Sequence, residues 1–344
     1  IFNRYLSCLV YMPHDQFNSK IVDSMGEVLA ENLGGTISLV KSHIGLKLFT
    51  RIHYTLTLKD PPLTYSLKHI EQKLIALAKS WTDHLNECLK ENLDTWHSTK
   101  LYTKYKMAFG KFYQERYSCM QVLEDILKCE QVFQTNHYTV HMTGGEAPQT
   151  LSFKVYHPEK PMILSDIMPT LENLGFKILS EIPFKIKVDT APYIIWMHHF
   201  ELECNHEEAM EHKEALLDTI IRIRDKHIED DAFNKLVLQA TLTSRQVEVI
   251  RAYGKYLRQL DIPFGQSTLQ AALMNNPTLT RHIVQLFEKK MDPAQPSLDQ
   301  DLLHAITKEL DAVQSPDDDR ILRRYLNLVH ATLRTNYYQK ADNH

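Results

Sequence analysis

Leu48–Leu58, LFTRIHYTLTL, decides the fold. Leu48, Thr50, Ile52, Tyr54, Leu56 and Leu58 share one side, and Arg51, His53, Thr55 and Thr57 take the other. Period-2 alternation of this kind predicts a strand with one covered face. Working upstream, Gly45 helps turn the chain out of a preceding strand, Thr36–Ser42, and Gly34-Gly35 ends a helix. That helix is capped by Asn18 or Ser19 and sets Ile21, Met25, Val28 and Leu29 on one face. Before it come a turn at Pro13–Asp15 and a strand, Tyr5–Met12, apolar on both faces. Downstream, Pro61-Pro62 precedes one long helix, Ser66–Glu91, striped by Leu67, Ile70, Leu74, Leu77, Trp81, Leu85 and Cys88. The order is β-α-β-β-α.

The same order recurs. Leu151, Phe153 and Val155 alternate with Ser152 and Lys154, and Ser165 is placed to cap a short helix ending at Gly175. Phe176–Val188 reads as a strand and Asp189–Pro192 as its turn. The next strand faces inward with Ile194, Trp196, His198, Phe200 and Leu202, and His206–His227 is the closing helix. Both copies are most of a βαββαβ ferredoxin-like unit, without its fourth strand. His137–Met142 either supplies one or hairpins onto Leu151–Tyr156 through Gly144-Gly145. Leu101–Phe133 reads as helix, and everything after about residue 231 is helical, broken at Pro263, Pro277 and Pro293 to Pro296. The fold class is therefore α+β: two ferredoxin-like βαββα units of the ACT type with helical insertions, then an all-α segment. The expected divisions are 1–95, 96–135, 136–228 and 229–344.

With 344 residues the chain exceeds one ordinary core. A hydrophobic content of 43% argues against disorder, and a net charge of −4 argues against gathering nucleic acid or anionic membrane. No apolar run approaches the roughly 20 residues of a membrane span. The opening IFNRYLSCLVYM reads as a strand and not as a signal peptide. Five scattered cysteines without a CxxC pair predict reduced thiols, and the expected compartment is the cytoplasm.

Ser315–Tyr338, SPDDDRILRRYLNLVHATLRTNYY, begins with a capping serine, a first-turn proline and three aspartates at the positive end of the helix dipole. It resembles the run leading into the catalytic domain of large-subunit bacterial NAD-dependent glutamate dehydrogenases. Cys8–Phe17 (CLVYMPHDQF), Ile163–Phe176 (ILSDIMPTLENLGF), Phe233–Arg245 (FNKLVLQATLTSR) and Val249–Gln259 (VIRAYGKYLRQ) resemble, in order, other parts of that family. The resemblance implies ACT-like units and a helical region that precede a catalytic domain. It further implies a homo-oligomeric parent that oxidatively deaminates L-glutamate to 2-oxoglutarate with NAD. The chain departs from the family at His14-Asp15-Gln16, where arginines usually flank the acidic residue. It departs again at Thr241 and Ser244, where glycine and tryptophan are usual.

The ten glycines form no GxGxxG and no GxxxxGK[ST], and no lysine has a glycine-lined setting, so this stretch is expected to be non-catalytic and to bind no NAD itself. His198, His199, Cys204, His206 and His212 raise a zinc hypothesis, but strand alternation sets His198 and His199 on opposite faces. Arg251, Lys255 and Arg258 form a helical stripe, read either as an anion site or as a face paired with acids such as Asp317–Asp319. In ACT-like domains the turn before the first helix is the usual effector position, which makes His14, Asp15, Phe17 and Asn18 the candidate effector residues. The competing reading gives Asp15 and Asn18 to turn and cap duty and makes Phe17 a staple. Assembly of subunits is favoured over amino-acid sensing, with a free-standing amino-acid-sensing module as the alternative.

Overall fold

The computed structural model describes residues 4–339 except 14–16, 45–48, 59–64, 146, 148, 205, 261 and 295–298. Of the candidate residues, His14 and Asp15 therefore lie outside the described residues, as does Leu48. The chain divides into two units, Ile1–Ile126 with Val188–Thr190, and Leu127–Lys187 with Ala191–His344.

The first unit begins β1 (Tyr5–Pro13), α1 (Ser19–Leu33), β2 (Gly35–Ile44), β3 (Phe49–Leu58), α2 (Leu67–Ala78). Then come α3 (Trp81–Asn92), α4 (Thr95–Tyr105), α5 (Lys111–Arg116) and the start of α6 (Cys119–Thr135). Its sheet has the order β1-β3-β2, antiparallel throughout, with Cys8 opposite Tyr54 and Val40 opposite Tyr54 on the other side. Tyr54, Ile52 and Leu56 turn to the helices, and the Tyr54 hydroxyl donates to the Val22 carbonyl at 2.7 Å. Burial and the charge of Asp23 push that phenol up to about 12. Gly34 closes α1 at φ 68°, a left-handed position that favours glycine.

The expected single helix over 66–91 is two. Lys79 leaves helical geometry, and Ser80 starts α3 with a capping box in which its side chain accepts from the Asp83 N–H and Asp83 accepts from the Ser80 N–H. The expected scatter of reduced thiols is also corrected: α4 and α5 fold the chain back so that Cys88 and Cys119 are joined.

The second unit holds β4 (Thr139–Gly144), β5 (Thr150–Pro158), α7 (Leu164–Asn173), β6 (Lys177–Ile186) and β7 (Ile195–Glu203). Its sheet order is β4-β5-β7-β6, so 139–144 hairpins onto β5 as the fourth strand, Thr139 opposite Tyr156 and Gly144 opposite Leu151. Gly145 is required at the hairpin, because a Cβ there would lie 2.1 Å from Thr150 Oγ1. Ser165 does not cap α7; Ile163 precedes the helix, which starts without a side-chain cap. The expected helix 206–227 is broken into α8 (His206–Glu211) and α9 (Lys213–Arg224).

After a 3-10 turn, Ala232–Lys235, the rest is α10 (Leu236–Gln239), α11 (Ser244–Gln259), α12 (Gln266–Asn275), α13 (Pro277–Met291), α14 (Gln300–Asp311) and α15 (Pro316–Ala331). One continuous core runs from Met142, Phe153 and Phe200 of the second sheet through Phe233 and Leu257 to Phe287, Tyr325 and Val329. The α+β class, two antiparallel sheets with their helices followed by a helical segment, is the observed architecture.

Candidate functional site

The turn before α1 shows what the described candidate residues do. The Asn18 side chain accepts from the Ile21 N–H at 2.8 Å and caps the helix. Phe17 is half-buried against the first-sheet core, the position of a staple. Both are engaged in starting α1.

The larger feature lies beside β1. Among the described residues β1 pairs with β3 alone, leaving its other edge without a strand. Alternation sends Leu6, Cys8, Val10 and Met12 towards the helices, where they line a groove of about 870 Å³ with Leu29 of α1 and Ile70 and Leu74 of α2. Burial there holds the Cys8 thiol above its ordinary range. On the sheet's opposite face Tyr5, Leu9, Tyr11 and Phe49 are exposed at 57%, 54%, 62% and 56%. An unpaired edge beside an apolar groove is the arrangement by which sheets take up an extended strand from elsewhere.

The second sheet shows what such a place accepts. There β4 lies outside β5, and its Val140 and Met142 are buried in the core beneath α8 and α9. The strand supplies the missing ladder partner and two apolar side chains. In the first sheet the corresponding volume is the groove.

The remaining sequence candidates are accounted for by local partners. Arg251 is buried, its Nε donating to Asp231 at 3.0 Å and a terminal nitrogen to Asn234 at 2.6 Å, while Lys255 meets Glu229 and Arg258 meets Gln266. The stripe's acidic partners are thus Asp231 and Glu229, not Asp317–Asp319. Of those three, Asp318 accepts from Asn275 and Asn276, and Asp319 from Arg323. His198 accepts the Met162 N–H at Nε2, 3.0 Å, and donates from Nδ1 to Glu181, 2.8 Å. His199 faces Ser152, so the two neighbouring imidazoles diverge.

Sequence reasoning missed the role of Ser244. Its hydroxyl donates to Asp218 at 2.9 Å and accepts from Arg222 at 2.6 Å, and these two partners line a cleft of about 1140 Å³ together with Arg245, Glu248 and Tyr337. Arg245 lies over the Tyr337 ring, 4.8 Å from its centroid. Burial first, then the hydrogen bond to Glu288, keeps the Tyr337 phenol above its ordinary range. Within the cleft Arg222 pairs with Glu248 at 3.2 Å, and Arg245 donates to the Tyr337 and Gln339 carbonyls.

Comparison with known proteins gives four family-model matches in chain order. They are the glutamate dehydrogenase ACT2 domain over 1–82, the ACT3 domain over 134–215, helical motif 3 over 228–293, and the bacterial NAD-glutamate dehydrogenase catalytic domain over 305–344. The NAD-specific glutamate dehydrogenase of Halomonas elongata is 31% identical over 350 residues, covering 99% of this chain and 22% of its own length. The protein of that name from Pseudomonas aeruginosa is 30% identical, with 99% of this chain and 22% of its own covered. That from Mycobacterium tuberculosis is 27% identical, with 97% and 22% covered.

Proposed function

Because this chain carries the ACT2, ACT3 and helical motif 3 regions of the glutamate dehydrogenase family, we propose that it is the regulatory and assembly region of an NAD-dependent enzyme. The parent would oxidatively deaminate L-glutamate to 2-oxoglutarate with NAD, as its relatives' names indicate. The cytoplasm, where glutamate and NAD are both present, is the proposed compartment. Assembly is the region's main role. The observation that carries this reading is the outer edge of β1, which pairs with no strand among the described residues and is flanked by an apolar groove and an exposed aromatic face. A strand from a neighbouring subunit would gain ladder hydrogen bonds from β1 and bury alternate side chains between α1 and α2. The use of Asn18 as a helix cap and of Phe17 as a staple leaves sensing at that turn with less support.

In the full-length protein, Val10→Asp places a carboxylate where the incoming strand must bury an apolar side chain. The expected result by light scattering is loss of assembly, with no single amino acid shifting the melting temperature of the wild type. Unchanged assembly, together with a clear shift by one amino acid, would favour sensing. Residues 1–344 alone are expected to give no saturable NAD binding in calorimetry, since neither a phosphate-cradling glycine loop nor a glycine-lined lysine occurs in the chain.

A further inference from the structure

The five cysteines occupy unlike settings. Cys8 is a half-buried thiol, whereas Cys88 and Cys119 are joined at a sequence separation of 31, with Cα atoms 6.3 Å apart. That spacing is one a disulfide spans without backbone movement. The two sulfurs differ sharply in access. Cys88 is 7% exposed, on the inner side of α3 with Leu85 and Leu89. Cys119 is half-exposed at the first position of α6, its sulfur 3.5 Å from the His84 carbonyl oxygen. A cavity of about 270 Å³, walled by Trp81, His84, Gln114 and Tyr117, opens on Cys119. The first turn of a 17-residue helix also stabilises a thiolate at that end.

We propose that Cys119 is a thiol-modification site, exchanging with small-molecule thiols and disulfides through this cavity, and that Cys88 is its resolving partner. In the reductive direction a small thiolate RS⁻ attacks the Cys119 sulfur. The Cys88–Cys119 bond breaks, and Cys88 leaves as a thiolate that takes a proton from water. A second RS⁻ attacks the R sulfur of the mixed disulfide, forming RSSR and expelling Cys119 as a thiolate, which takes a proton from water. Two RSH become one RSSR while the protein gains two thiols; oxidation by RSSR runs the same steps backwards. The link closes the loop containing α4 and α5, whose Phe109 and Tyr113 rings stack at 4.4 Å between the two cysteines. Exchange at Cys119 therefore clamps or frees the start of α6 against α3.

The test uses glutathione and its disulfide as the probe, with alkylation and peptide mapping of the intact chain. The wild type should move between an 88–119 linked form and a dithiol as the glutathione ratio changes, with Cys8 as a slow internal comparator. Under partial reduction the mixed disulfide should sit on Cys119 about tenfold more often than on Cys88. Cys88→Ser should trap glutathione on Cys119, and Cys119→Ser should take up little at Cys88. Equal adduct at both positions in the wild type, or no linked form at any ratio, would overturn the proposal; the wild-type readouts decide even where a variant does not fold.

Discussion

The first and second sheets carry the same three-strand arrangement, β1-β3-β2 and β5-β7-β6, yet among the described residues only the second has a strand beyond it. In the second, β4 buries Val140 and Met142. In the first, the same place is a groove beside Val10 and Leu74, and the far face of the sheet exposes Tyr5, Leu9 and Tyr11. One sheet is completed within its own unit, and the other offers an edge. An edge with apolar surface on both sides is costly to leave in water and invites a partner.

The comparison is most easily broken by charge. Met142→Asp should unfold the second unit, since an unpaired buried carboxylate costs more than about 4 kcal/mol. Val10→Asp in the first sheet should cost only about 1 kcal/mol, because the groove side stays in contact with water. Urea denaturation of the two variants side by side measures the difference. A milder pair sharpens it: Met142→Ala should lose about 3 kcal/mol and Leu74→Ala about 1 kcal/mol.

Packing tightness should differ in the same sense. A Cβ on Gly254 of α11 would lie 2.8 Å from the Tyr325 hydroxyl oxygen and 3.0 Å from Phe233, within the second unit's continuous core. Gly254→Ala should cost about 2 kcal/mol by overpacking. On Gly26 of α1 the nearest contact is a Tyr54 ring carbon at 3.3 Å. There the helical preference for alanine offsets the squeeze, and Gly26→Ala should lie within about 1 kcal/mol of neutral. The smallest effect is a gain. Thr241 holds φ 54°, in the left-handed region that glycine adopts at least cost. Thr241→Gly should add about 0.5–1 kcal/mol by relieving a β-branched residue from the left-handed region, read as a small rise in melting temperature.

Much of this was legible. Alternation in Ile52–Leu58 and in Phe153–Val155 places both sheets, because a covered face demands period 2 whatever surrounds it. The break at Lys79-Ser80 was written in Ser80 and Asp83, three apart, but the uninterrupted apolar stripe on either side hides a change of axis. The destination of 139–144 was open because a strand's own pattern does not name its partner; Gly145 at the hairpin settles it for β5. The Cys88–Cys119 link was illegible, since it depends on how α4 and α5 return the chain. The groove was legible only as a missing strand: its volume depends on where α2 lies over β1, which no periodicity encodes.

Amide hydrogen exchange along β1 tests the central claim most directly, comparing residues 1–344 alone with the full-length assembled protein. The β1 amides that face away from β3 should exchange freely in the isolated chain and become strongly protected in the assembly, while β4 and β5 are protected in both. Equal, fast exchange of those β1 amides in both samples would contradict the account, because the edge would then be open even in the assembly.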